Sequence, residues 1–206
     1  MEKIFETRTM PVQLEIRADG KNEPVLAGLA AVYNKRSQVI GGMGGFTEII
    51  EPGFFSGVMD QDVLATIEHN NERLVGRTKS GTLKISDSDE GLRTENKIPP
   101  TSDGNDLLTL VKRGDISGMS FKFRCADGGS KWESDSTTGA VTRTLMAGGC
   151  EELADITYTC DPAYKDTAVA ERSMTEFRSQ KDAEIPIIAD IIKQNERIRK
   201  IKLASL

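Results

Sequence analysis

Only one histidine, His69, occurs among the 206 residues, so any chemistry that needs an imidazole near neutral pH must use it. It ends the run Thr66-Ile67-Glu68-His69, where an apolar stretch meets polar turn residues, and strand ends commonly display reactive groups. A structural histidine with a satisfied hydrogen bond would look the same. Ser120 lies in Gly118-Met119-Ser120-Phe121-Lys122-Phe123, where Gly118 lets the backbone turn closely just before the serine enters a strand. A Gly-x-Ser is common, and a strand serine bonded locally has the same signature. Nor is this the Gly-x-Ser-x-Gly elbow of hydrolases, because Lys122 stands where the second glycine would be.

A serine hydroxyl is a weak nucleophile. It needs a base within hydrogen-bond reach and usually an acid that orients the base. The stretch Leu153-Ala154-Asp155-Ile156-Thr157 offers one, and strict alternation puts Leu153, Asp155 and Thr157 on one face. A carboxylate within a strand is costly to bury alone, and an imidazole would relieve that cost. A solvent-facing Asp155 is the alternative. Glu68 is the poorer candidate, because neighbouring strand residues point to opposite faces.

The bulk properties narrow the field. Three cysteines, Cys125, Cys150 and Cys160, lack metal-ligand spacing, and one histidine cannot complete a zinc site, so neither metal nor cofactor is expected. They read as small buried or half-buried residues in a reducing compartment. A net charge of −5 argues against a nucleic-acid-coating surface. No apolar run approaches the roughly 20 residues of a membrane span, and the first residues carry no apolar signal core.

The elements that must position these residues are mostly strands. Alternation marks residues 12–17, and a more continuous apolar run marks 25–33 and 62–69. Short strands follow at 74–78, 82–86, 92–98, 118–124, 141–147 and 153–159, with Ser80-Gly81 and Glu90-Gly91 as turns. Residues 105–113 switch to a helical period, and 54–59, after Pro52, read as a short helix. Residues 126–140, rich in Gly, Ser, Thr and Asp, read as an exposed hairpin loop. The plan is a β-rich α+β domain over 1–165, a polar linker over 166–181 and an amphipathic C-terminal helix over 182–206.

In this order the pieces resemble the caudovirus prohead serine proteases, distant relatives of the herpesvirus assemblins. The resemblance rests on Gly28-Leu29-Ala30-Ala31-Val32-Tyr33-Asn34, on Phe46-Thr47-Glu48-Ile49-Ile50-Glu51-Pro52-Gly53-Phe54-Phe55, and on Val63 through Asn70. Further blocks are Leu74-Val75-Gly76-Arg77-Thr78 with Gly81-Thr82-Leu83, Gly118 through Phe123, and Leu153 through Thr157 with Asp161-Pro162-Ala163-Tyr164. Residue by residue, it implies His69 as the general base, Ser120 as the nucleophile and Asp155 as the third member. The family's acid is usually Glu, and assemblins use a second histidine that this chain lacks.

The resemblance also implies an assemblin-like β-barrel with a few surrounding helices and a C-terminal helical tail. It implies an endopeptidase acting inside the procapsid in the host bacterial cytoplasm, cutting scaffold or the major capsid protein and itself. By analogy the enzyme would act as a homodimer or in a scaffold-bound form. An inactive scaffold or procapsid-binding module of the same fold is the competing reading. An esterase fits the Ser/His pair but not the strand order.

Overall fold

The computed structural model describes residues 4–19, 23–42, 44–160, 174–175 and 177–179. Its strands are β1 (Glu6–Pro11), β2 (Glu15–Ala18), β3 (Pro24–Val32), β4 (Phe46–Ile50), β5 (Leu64–Ile67), β6 (Asn70–Arg77), β7 (Leu83–Asp87) and β8 (Gly91–Lys97). After helix α1 (Ser102–Arg113) come β9 (Gly118–Cys125), β10 (Ser130–Ser134), β11 (Val141–Leu145) and β12 (Cys150–Thr159). They form three sheets, ordered β1-β9-β12-β5-β6, β2-β3-β8-β7 and β10-β11-β4. Among the described residues the fold is β-rich with few helices, as expected, and its ladders divide into these three sheets without closing into a barrel.

The five-stranded sheet has two faces, divided by strand alternation. Inward lie Met119, Phe121 and Phe123 of β9 with Ile156 and Tyr158 of β12, all fully buried. The rings of Phe54 and Phe55 meet Phe123 and Phe121 edge-on, at centroid distances of 5.6 and 5.3 Å. Full burial of such a side chain stabilises by about 1.5–3 kcal/mol. The opposite face carries polar residues.

Strand β1 extends this sheet at its edge and is held from below by charge. Arg8 donates from Nε and Nη2 to the Glu48 carboxylate on β4, at 2.6 and 2.9 Å, and from Nη2 to Glu6 at 2.6 Å. Arg143 on β11 grips Glu6 through both terminal nitrogens, at 2.6 and 3.0 Å. All four side chains are buried. Burial by itself would push the Glu6 carboxyl up, but Arg8 and Arg143 overcome it and hold the group at about 2.

A second apolar cluster covers the three-stranded sheet. Ile40, Phe46, Val141 and Met174 are buried together, with Trp132 and Phe177 packed on them. The rings of Trp132 and Phe177 stack at 5.6 Å, and Arg178 donates to the Gly44 carbonyl at 2.6 Å. The linker and tail expected over 166–206 otherwise lie outside the described residues.

Several elements differ from the sequence reading. The strand read at 12–17 is β2, shifted to Glu15–Ala18, and β1 precedes it unannounced. Residues 54–59 contain only a single 3₁₀ turn, Ser56–Val58. The loop at 126–140 contains β10, which pairs with β11 and leaves 126–129 and 135–140 outside the strands. Helix α1 begins three residues earlier than its apolar periodicity suggests. Thr101 caps it by accepting the Gly104 N–H, and a side chain at Gly104 would strike the Pro99 carbonyl.

Candidate active site

The polar face of the five-stranded sheet carries a row of hydroxyls. Thr9 on β1, Ser120 on β9, Thr157 on β12 and Thr66 on β5 are successive cross-strand partners. Thr66 Oγ1 donates to Thr157 Oγ1 at 3.0 Å, and Thr9 Oγ1 donates to Ser120 Oγ at 3.1 Å. Asp155 sits two residues before Thr157 on the same face.

That placement corrects the alternation argument. The ladder between β9 and β12 slips at Ala154, so Leu153 pairs with Phe123 while Asp155 pairs with Lys122. A bulge of this kind inverts the pattern across one residue. Leu153 therefore faces the core, and Asp155 shares its face only with Thr157.

His69 reaches this row from a turn, not from a strand. Strand β5 stops at Ile67, and Ile67 pairs directly with Asn70 of β6, leaving Glu68 and His69 as a two-residue hairpin loop. Their φ angles are 54° and 52°, the left-handed values that a type I′ turn demands. Neither residue is the Gly or Asn that adopts this conformation readily, and each costs on the order of 1–2 kcal/mol there. Contacts to β12 offset the strain. The Glu68 carboxylate accepts from the Cys160 N–H at 2.8 Å and from the Thr159 hydroxyl at 2.9 Å. The Glu68 N–H donates to the Tyr158 carbonyl at 3.1 Å, and the His69 N–H donates to Thr157 Oγ1 at 2.9 Å.

So held, the imidazole bridges the other two residues singled out from the sequence. His69 Nδ1 lies 2.7 Å from Asp155 Oδ1, and Nε2 lies 2.8 Å from Ser120 Oγ. A carboxylate only accepts, so Nδ1 carries a proton, and the neutral ring then offers its Nε2 lone pair to the serine hydroxyl. The His69 side chain is 30 % exposed and that of Asp155 only 8 %. The acid is thus sealed and the base remains reachable. A cleft of about 160 Å³ includes Thr9 in its lining, with Met10, Pro11, Val32 and Ile50 on the apolar side and Lys35, Arg36, Ser37, Gln38 and Glu48 as polar lining.

Thr9, Thr157 and Glu68 are site residues that the sequence reading did not single out for these roles. Thr157 had a readable signal, since it follows Asp155 by two. Thr9 had none, because β1 itself was not anticipated. Of the cysteines, Cys150 is buried, with its thiol pushed up to about 12 by burial, Cys125 is half-buried and Cys160 exposed.

A β-rich fold with a Ser–His–Asp chain on one sheet face is a hydrolase-type arrangement. The caudovirus prohead serine protease profile matches residues 12–180, and the chain belongs to that family. No curated protein sequence matches. Among solved structures, the bacteriophage T4 capsid assembly protease, gp21, is similar in fold. The TM-score is 0.51 at 12 % identity, over 79 % of this chain and 100 % of that one. Among the described residues, no helix is long and apolar enough to cross a membrane.

Proposed function

We propose that this chain is a prohead-maturation serine endopeptidase that works inside the procapsid on scaffold or capsid-protein segments, and on itself. The observation that carries the reading is the unbroken chain Asp155–His69–Ser120 at 2.7 and 2.8 Å. In this reading, His69 Nε2 takes the Ser120 proton as Oγ attacks the peptide carbonyl. It returns that proton to the leaving amine, and water then reverses the sequence on the acyl-enzyme. Asp155 keeps the ring in the tautomer that leaves Nε2 free. The cleft beside Thr9, with its mixed apolar and charged lining, would receive the substrate's side chains.

Co-expression with the neighbouring capsid and scaffold proteins tests this, with fragment masses followed for wild type, Ser120→Ala and His69→Ala. Wild type should cut, and each variant should lose on the order of 10⁶ in kcat. Asp155→Asn should lose about 10⁴, because it favours the wrong tautomer. If wild type leaves every partner and itself intact, the inactive-module reading replaces this one. Cleavage that persists in both variants would remove the site assignment instead.

A further inference from the structure

We infer that Thr9 is a positioning residue for the Ser120 hydroxyl, a role that rests on the proposed reading of Ser120 as nucleophile. Hydrogen-bond direction carries the argument. Asp155 can only accept, so His69 donates from Nδ1, and in the neutral form that a general base needs it accepts at Nε2. Ser120 therefore spends its one proton on His69, and the remaining contact, from Thr9 Oγ1 at 3.1 Å, has to donate into Ser120 Oγ. Polarity runs one way through four side chains, from Thr9 to Asp155.

Two consequences follow for the nucleophile. One lone pair of Oγ is occupied by Thr9, the proton points at His69, and the other lone pair is left for the carbonyl carbon. A free serine hydroxyl would rotate among three staggered wells. While the proton is leaving for Nε2 and the Oγ–carbon bond is still forming, Oγ has alkoxide character that a donor already in place stabilises; once the bond is complete, the charge has passed to the carbonyl oxygen. In deacylation Oγ takes back the bond pair as the C–Oγ bond breaks, and the same donor meets it until His69 returns the proton. Thr9 therefore acts on both halves of the reaction, in the transition state more than in substrate binding.

The position of Thr9 is tightly held. It is directly opposite Ser120 in the β1–β9 ladder, it is 7 % exposed, and a β-branched residue has little χ1 freedom. Its neighbour Arg8 locks β1 to β4 through the buried Glu48 carboxylate. A threonine that merely found the nearest acceptor would need none of this.

A fluorophosphonate probe, which reacts with an activated serine whatever the natural substrate, tests the role. The measurement is the rate and site of labelling by mass, beside the thermal midpoint, for wild type, Ser120→Ala, Thr9→Val and Thr9→Ser. Wild type should label at Ser120 and Ser120→Ala should not. Thr9→Val, which keeps the shape but loses the donor, should label about 10- to 100-fold more slowly. Thr9→Ser should recover to within about threefold, because it restores the donor. Thr9→Val labelling at the wild-type rate would overturn the role of Thr9 and leave Ser120 standing. Slow labelling by both variants, together with lowered midpoints, would also overturn it, since Thr9 would then only hold the strand. An unlabelled wild type would remove the nucleophile itself, and this inference with it.

Discussion

Thr157 holds His69 by the backbone: the His69 N–H donates to Thr157 Oγ1 at 2.9 Å, two residues along β12 from the carboxylate that receives the ring. One strand thus fixes both the turn and the side chain it displays, and Thr157 is also the cross-strand partner of Ser120. Ser120, His69 and Asp155, the proposed nucleophile, base and acid, are referred to a single strand, as productive geometry would require.

Thr157→Val should leave a backbone N–H without this acceptor and loosen the turn. The expected result is a fall of about tenfold in kcat with KM little changed, and a loss of about 1–2 kcal/mol in stability. Thr157→Ser should restore both. Steady-state cleavage with urea titration provides the measurement, and an unchanged kcat in the valine variant would contradict the role.

Glu68→Ala removes the carboxylate that ties the strained turn to Thr159 and Cys160. Stability should fall by about 1–3 kcal/mol, and cleavage should slow without a change in the distal core. Glu68→Gly should be milder, because glycine takes a positive φ at no steric cost. Hydrogen exchange of the His69 and Asn70 amides would show where the loss is confined.

Acid should weaken the domain through Glu6. Its carboxyl is held at about 2 in the fold against an ordinary 4.5, so its contribution is complete above about pH 4.5. That contribution, about 3 kcal/mol, should disappear as the pH falls from 4.5 through 2. Urea titrations from pH 6 downward should show the decline, and Glu6→Gln should flatten it. The substitution should also cost about 3–5 kcal/mol at pH 6, since it leaves a buried guanidinium short of its counter-charge.

Trp132 is the single tryptophan, so its fluorescence reports on one place: the stacked Phe177 ring, the Phe46 ring edge-on at 4.7 Å and the Arg143 guanidinium over its face. Phe177→Ala should shift the emission to the red, increase quenching by iodide and cost about 1 kcal/mol. An unchanged spectrum would mean that the pair is not stacked in solution.

The strands around the site were legible because alternation survives wherever one face is buried and the other polar. Gly118–Cys125 and the second half of β12 obey it, whereas Leu64–Ile67 is legible from its continuous apolar run and β1, which carries Thr9, from neither. Asp155 was reached by an argument that fails in detail, since the bulge at Ala154 turns Leu153 away from it, and nothing in Leu153-Ala154-Asp155 announces an extra residue. The turn under His69 was also hidden. A type I′ hairpin advertises itself as Asn-Gly, whereas Glu68-His69 adopts it only because β12 supplies acceptors and donors from 88 to 92 residues away. The charge cluster left one trace: in β4, Phe46, Glu48 and Ile50 face the same way, which puts a carboxylate among apolar neighbours. Its partners Arg8 and Arg143 come from opposite ends of the domain, and no local pattern joins them.

Met174 and Phe177 sit on the sheet that contains Trp132 but reach it only after the chain has left β12 at Thr159. Any scission between residues 160 and 174 would change the physics of that contact without touching an atom of it. While the backbone is intact, the two halves face each other at the effective concentration of a tethered ligand, in the millimolar range for a short linker. Once it is cut, they become separate molecules whose association depends on dilution. The C-terminal piece would then stay in a crowded compartment and depart from an open one.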